Sequence, residues 1–113
     1  MTGRRSRRER SHKPSAPIVW SDRARSDLRE IDEYVSADDP IAAERWVDRL
    51  IRAVERAAVF PRAGRVVPEL RHEAIREVFV RTYRIVYRLR SEGIEVVTVF
   101  EGHRRLPGGG ETD

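Results

Sequence analysis

The hydrophobic positions in the first half of the chain follow the spacing of two amphipathic helices. After Ser21, apolar residues recur every three or four positions between charged ones, which predicts a helix with Ser21 as its N-cap. A second helix is predicted after Asp39-Pro40, because aspartate caps free amides and proline suits the first helical turn, and Phe60-Pro61 ends it. The short connection favours an antiparallel hairpin whose apolar stripes cover a common surface.

The second half of the chain changes to runs of β-branched and aromatic residues. Three strands are predicted at 75–80, 83–89 and 94–100, and the short turns between them favour consecutive antiparallel hairpins. The apolar run 18–20 predicts an early strand, which is a candidate fourth member of this sheet. These elements predict an α+β fold in which an N-terminal helical hairpin packs on a small antiparallel β-sheet.

Alternation along the middle strand separates its two faces. The odd-numbered residues from Tyr83 to Leu89 are apolar or aromatic and lie on one face, whereas Arg84, Val86 and Arg88 lie on the other. We therefore expect the first face to belong to the core and the second to present a basic rim.

The positive charge of the chain is concentrated at its beginning. The 113 residues carry a net charge of +4, but residues 1–16 hold six basic residues and one acidic residue, which leaves a net charge of −1 for the remainder. We expect a disordered basic leader at 1–16, a folded domain at 17–107 and a flexible glycine-rich tail at 108–113. Binding of an anionic partner by the folded domain then depends on local clusters of cations.

Several classes of function are disfavoured by the residues that the sequence lacks. There is no cysteine for a disulfide or a thiolate site. The sequence has no glycine-rich phosphate loop, no paired-histidine metal spacing and no nucleophile elbow, so we expect no metal ion and no cofactor. No apolar run is long enough for a membrane helix, and we expect a cytoplasmic protein that contacts no membrane.

The residues that remain for chemistry are arginine, histidine and tyrosine around the predicted sheet. A metal-independent ribonuclease needs a base, an acid and cations near the phosphate, and these side chains supply such groups. The alternatives are structural. Arginines on a strand are commonly solvated or ion-paired, Tyr83 and Tyr87 lie on the core face, and His103 suits a turn or a pair with Glu101. On the residues alone, both interpretations stay open.

A series of short motifs carries a resemblance to a known family. They are Trp20-Ser21-Asp22-Arg23-Ala24, Asp38-Asp39-Pro40, Phe60-Pro61 before Gly64-Arg65, Val67-Pro68-Glu69, Ile75-Arg76-Glu77, Tyr83-Arg84-Ile85-Val86-Tyr87 and His103-Arg104-Arg105. Their order over residues 17–106 resembles the RelE/ParE toxin superfamily of type II toxin–antitoxin systems, and more closely its ParE branch. RelE-like members tend to carry a tyrosine after the last basic cluster, where this chain has Leu106-Pro107.

The resemblance implies a toxin that a cognate antitoxin neutralises, in a hetero-oligomeric complex that reaches operator DNA only through the antitoxin. For the ParE branch it implies poisoning of DNA gyrase without any catalytic residue. The expected target-binding residues are then Arg84, His103, Arg104 and Arg105. The expected antitoxin-binding residues are Arg76, Arg84 and Arg88.

Two alternatives follow from the same resemblance. A RelE-like protein cleaves messenger RNA on the ribosome, and its catalytic residues here would be Arg76, Arg84, His103 and Arg104. The other alternative is a nontoxic paralogue that still binds an antitoxin. The order of motifs is common to all three, so the sequence leaves the target undecided.

Overall fold

Two helices and five strands make up the part of the chain that the computed structural model describes, residues 17–102. The elements are β1 (Ile18–Trp20), α1 (Asp22–Ser36), α2 (Pro40–Val59), a 3-10 turn (Pro61–Ala63), β2 (Arg65–Val66), β3 (Ile75–Val80), β4 (Tyr83–Leu89) and β5 (Ile94–Glu101). The expected leader at 1–16 and tail at 108–113 lie outside the described residues.

Both predicted helix starts are confirmed by their capping bonds. The Ser21 hydroxyl accepts a hydrogen bond from the Ala24 amide at 2.9 Å. The Asp39 carboxylate accepts from the amides of Ile41 and Ala42 at 3.1 and 3.2 Å, with Pro40 in the first turn. The local sequence therefore sets where each helix begins, because these side chains satisfy amides that have no partner within the helix.

The strands form one sheet in the order β1-β5-β4-β3-β2. The predicted hairpins β3-β4 and β4-β5 are antiparallel, and β2 adds two residues at the far edge. The predicted α+β fold with a helical hairpin on a sheet is confirmed, but the sheet is mixed: β1 runs parallel to β5, with Ile18 opposite Ile94. The reason is that β1 is separated from the sheet's hairpins by both helices, so no tight turn fixes it as antiparallel.

The main core lies between the helical hairpin and one face of the sheet. Leu50 and Val54 of α2 are fully buried against Ile85, Tyr87 and Val96 of the central strands. This confirms that the odd-numbered side chains of β4 belong to the core. A second, smaller cluster on the opposite face contains Val67, Ile75 and Val86.

α1 is fastened to β5 beyond the end of β1, at an irregularity in the strand pairing. Tyr87 pairs with Val96 and Val86 pairs with Thr98, so Val97 is an additional residue, a β-bulge. The Asp27 carboxylate accepts hydrogen bonds from the Thr98 hydroxyl at 2.6 Å and the Val99 amide at 2.9 Å. Polar groups on this stretch of the sheet edge are therefore satisfied by a helix instead of by another strand.

Candidate functional site

The sheet face that points away from the helices carries an ionic cluster made of Arg65, Glu69, Glu77 and Arg84. Arg84 donates from Nε to Glu77 Oε1 at 2.8 Å, and from Nη1 and Nη2 to the two oxygens of Glu69 at 3.0 Å each. Arg65 Nε donates to the other oxygen of Glu77 at 2.6 Å. The Glu77 side chain has no exposed surface and that of Arg84 is 6% exposed, so two acids and two bases neutralise each other in place.

The loop between β2 and β3 contributes Glu69, the one acidic residue of this cluster that does not lie on a strand. Val67 is fully buried, and its carbonyl accepts from the amides of Leu70 at 3.1 Å and Arg71 at 2.9 Å. The resulting turn folds over the sheet and delivers Glu69 to Arg84. The two-pronged hydrogen bond from Arg84 holds the pKa of Glu69 below its ordinary value despite an opposing effect of burial, and the same bond raises the pKa of Arg84.

Aromatic rings lie beside the two guanidinium groups of the ionic cluster. The Arg84 guanidinium lies 5.3 Å from the centre of the Phe100 ring and 5.9 Å from that of Phe79, and Arg65 lies 5.7 Å from Phe79. These contacts are within cation–π distance. The expectation that Arg84 is part of an exposed basic rim is therefore wrong, because carboxylates occupy its donors and rings flank its plane.

Arg76, an expected antitoxin-binding residue, is also withdrawn from the surface. It lies on the opposite side of β3 from Glu77, and its side chain is 9% exposed. Its Nη1 donates to the carbonyls of Arg62 at 3.0 Å and Gly64 at 2.9 Å, and its Nε to the Glu73 carbonyl at 2.9 Å. Arg76 is buried because it supplies donors to a carbonyl-rich turn before β2. Arg76 and Arg84 are thus separate sites, on opposite faces of the sheet.

Arg88 is the residue of the predicted rim that the structure leaves at the surface. Its side chain is 51% exposed, and its Nε lies 3.4 Å from a carboxylate oxygen of Glu95. An exposed pair of this kind contributes little to stability and is available to a partner. The other sequence-predicted residues, His103, Arg104 and Arg105, lie outside the described residues, and their roles stay predictions.

The tyrosines and His72 have structural partners. The buried Tyr87 donates its hydroxyl to the Pro61 carbonyl at 2.8 Å, and burial raises the pKa of that hydroxyl. The Tyr83 ring meets Trp46 edge to face at 5.7 Å. His72 accepts a hydrogen bond at Nδ1 from the Ala74 amide at 3.1 Å. The geometry supports the structural interpretation of Tyr87, since its hydroxyl is engaged inside the fold.

The sequence-based prediction of site residues considered cations and did not include Glu69 and Glu77. Glu77 shares a face with Arg84 by simple alternation, because it pairs with Val86. That signal was available from the predicted strands. The position of Glu69 depends on an irregular loop, which no periodic pattern predicts.

A groove on the outer side of the helical hairpin is a second candidate surface. Its apolar lining includes Leu28 of α1 and Ile41, Val47 and Ile51 of α2. Ile41 is 63% exposed and adds to the apolar surface of this groove. Among residues 17–102, no group of three metal-ligating side chains comes together, and no helix is long and apolar enough to cross a membrane.

Comparisons with known proteins identify relatives of this chain. The sequence model of the ParE toxin of the type II toxin–antitoxin system parDE matches residues 18–106. A protein of Sinorhizobium fredii named as a candidate toxin, Y4kP, is 38% identical over 92 residues, which are 80% of this chain and 92% of that protein. A protein of Caulobacter vibrioides named Toxin RelE2 is 32% identical over 84 residues, 74% of this chain and 92% of that protein.

A solved structure titled as the chromosomal ParDE toxin–antitoxin system of P. aeruginosa has the same fold. The match has a TM-score of 0.64 at 18% identity and covers 77% of this chain and 96% of that one. The structural match shows the fold, and the sequence model and the two relatives show the family. The chain belongs to the ParE toxin family of type II toxin–antitoxin systems.

Proposed function

We propose that this chain is a toxin neutralised by a cognate antitoxin, and that it arrests growth by binding and poisoning DNA gyrase. The observation that carries the choice of target is the engagement of Arg84 and Arg76 inside the fold. A nuclease of the RelE type needs cations at the scissile phosphate. The donors of these two arginines bond to carboxylates and carbonyls of the chain itself. An inhibitor that acts by binding gyrase needs a surface complementary to that enzyme. It does not need cations placed at a scissile phosphate.

Cleavage of messenger RNA on the ribosome is the second candidate. It is favoured by the relative named Toxin RelE2, at 32% identity, and by the basic run at 103–105. The cations at 103–105 would have to act without Arg76 and Arg84. Otherwise, the target would have to break the buried hydrogen bonds of both arginines. Breaking buried ion pairs and hydrogen bonds in this way costs free energy. For this reason we favour gyrase over messenger RNA as the target.

The antitoxin is proposed to cover the groove on the outer side of the helical hairpin. Its lining combines the apolar side chains of Leu28, Val47, Ile51 and the exposed Ile41 with charged residues of both signs. An amphipathic segment that places aliphatic side chains in this groove would bury this surface. On the sheet, the proposed antitoxin contact rests on Arg88, because Arg76 and Arg84 are withdrawn from the surface.

The target is tested in cells by inducing the chain and following the synthesis of DNA and of protein separately. A gyrase poison stops DNA synthesis first and produces double-strand breaks, whereas a ribosome-dependent nuclease stops protein synthesis first. A variant with Arg104→Ala and Arg105→Ala should lose toxicity if the run at 103–105 contacts the target. The matched control, Arg23→Ala with Arg62→Ala, removes two exposed cations elsewhere. Early loss of protein synthesis with intact DNA would reject the gyrase proposal.

A further inference from the structure

A cleft lined by four arginines lies between α2 and the turn that joins β3 to β4. Arg49, Arg52 and Arg56 come from α2, and Arg81 comes from the turn. The remaining lining is Phe79 and Val80, and the volume of the cleft is about 380 Å³. The three helical positions are three and four residues apart, so their side chains share one face of the helix. We call this set of six residues the arginine cleft.

The cations of the arginine cleft are largely uncompensated. In residues 17–102, eight arginines outside the cleft form ion pairs, and within the cleft Arg52 pairs with Asp48. Within those residues, no carboxylate lies within 4.0 Å of Arg49, Arg56 or Arg81. Arg49 instead lies over the Trp46 ring at 5.2 Å. Three unpaired positive charges thus share one cleft in a domain whose net charge is close to zero, which favours an anionic ligand.

The backbone at Arg81 adds to the case made by the charges of the cleft. Its φ of 57° lies in the left-handed region, where glycine or asparagine is favoured and other residues are strained. The two-residue turn between β3 and β4 requires a positive φ at this position, so what calls for a role of the side chain is that arginine stands where glycine or asparagine is usual. Arg71 has a similar φ of 52° outside the cleft, so the strain supports the assignment only together with the three neighbouring arginines, and Arg71 supplies a matched control.

We infer that the arginine cleft binds the phosphate backbone of double-stranded DNA. The guanidinium group matches a phosphate with two parallel hydrogen bonds. Arg49 and Arg56 are separated by seven residues of helix, or about 10 Å of axial rise, which is the rise of about three nucleotides along one strand of duplex. The contact is separate from the choice of target protein and stands or falls without it.

The test compares two triple variants of the full chain that lose equal charge. The cleft variant is Arg49→Gln, Arg56→Gln and Arg81→Gly. The control variant is Arg23→Gln, Arg62→Gln and Arg71→Gly, which removes three other exposed cations and likewise relieves one left-handed arginine. The dissociation constant for a fluorescent duplex of about 20 base pairs is measured between about 50 and 200 mM salt. The basic residues at 1–16 are present in both proteins, so their contribution is the same.

We expect the cleft variant to bind at least about tenfold more weakly and the slope of log Kd against log salt to fall by about 2 to 3, since each lost phosphate contact contributes about 0.9. The control variant should stay within about twofold of the parent. Unchanged binding by the cleft variant, or an equal loss in both variants, overturns the inference. The inference is also overturned if the cleft variant still binds DNA but no longer binds a polyglutamate peptide. That result would assign the cleft to an acidic protein segment. If the cleft variant fails to fold, Arg81→Gly against Arg71→Gly makes the same comparison.

Discussion

Arg84 Nε donates a hydrogen bond to Glu77 Oε1 at 2.8 Å where both side chains are withdrawn from water. A buried ion pair of this kind returns little net stability, because the attraction between the charges mainly offsets the cost of desolvating them. Breaking it is different, since the remaining charge stays buried without its partner. The pair therefore holds the Arg84 side chain in place on the sheet, where it also binds Glu69 of the loop between β2 and β3, and this arginine is part of the scaffold.

The first prediction concerns this pair. Arg84→Met should lower the free energy of unfolding by about 3–5 kcal/mol, because Glu77 is left buried and short of a partner. Glu77→Leu should also be costly, because Arg84 and Arg65 lose the acceptor they share, while Arg84 keeps its two bonds to Glu69. The double variant should cost clearly less than the two single losses added together, as urea denaturation would measure. Additive losses would mean that the two side chains do not depend on each other.

The second prediction concerns the pH dependence that Glu69 contributes. Its pKa is lowered in the fold by the hydrogen bond from Arg84, so the unfolded chain binds the proton more tightly than the folded one. The resulting stability is present above the unfolded pKa of about 4.3 and is lost as pH falls through the lower folded pKa. In acid, the denaturant concentration at the midpoint of unfolding should therefore depend less on pH in the Glu69→Gln variant than in the parent protein. A parallel pH profile for both proteins would count against the assigned cause.

The third prediction concerns the close approach of Gly64 and Tyr87. A Cβ at position 64 would lie 2.3 Å from the Tyr87 hydroxyl oxygen and 2.9 Å from the Glu77 carbonyl. Gly64→Ala should destabilise the fold, and Tyr87→Phe alone should cost about 1 kcal/mol through the lost bond to Pro61. In the Gly64→Ala variant, the loss of stability caused by Tyr87→Phe should be smaller or reversed. The reason is that the phenylalanine removes the hydroxyl oxygen that the new Cβ would meet. Equal costs in both backgrounds, measured by thermal unfolding, would refute the steric explanation.

The fourth prediction concerns the fastening of α1 to β5. Asp27→Ala removes the acceptor for the Thr98 hydroxyl and the Val99 amide, and should cost about 1–3 kcal/mol of unfolding free energy. Asp22→Ala is the matched control, because its carboxylate is 97% exposed and pairs only with a neighbour on the same helix. Hydrogen exchange should show faster exchange at the Val99 amide in the first variant alone. Protection of Val99 in both would mean that another group satisfies this edge.

Local chemistry made much of the fold predictable. Ser21 and Asp39 cap their helices because the bonds involve amides only two or three residues away. Tyr87 was placed in the core by alternation along one strand. The parallel pairing of β1 was not predictable in this way, since Ile18 meets Ile94 across the whole length of the domain. Long-range pairing depends on how the layers assemble, which no local pattern encodes.

The candidate site was harder to predict than the fold. Alternation placed Arg84 on the face away from the helices, which is correct, but that face is covered by a loop with no periodic signal. The burial of Arg76 depends on carbonyls of the 3-10 turn, at Arg62 and Gly64. Exposure of an arginine is therefore decided by irregular segments. The arginine spacing on α2 was visible in the sequence, whereas its meeting with Arg81 required the structure.

The central claim is that the chain poisons gyrase by binding it. The most direct measurement incubates purified gyrase with supercoiled plasmid and the purified chain, then denatures and digests the protein to reveal trapped cleavage. Linear plasmid that accumulates with the chain, and disappears when its antitoxin is added first, is the expected result. A folded chain that arrests growth yet leaves both supercoiling and cleavage by gyrase unchanged would contradict the claim and favour cleavage of messenger RNA on the ribosome.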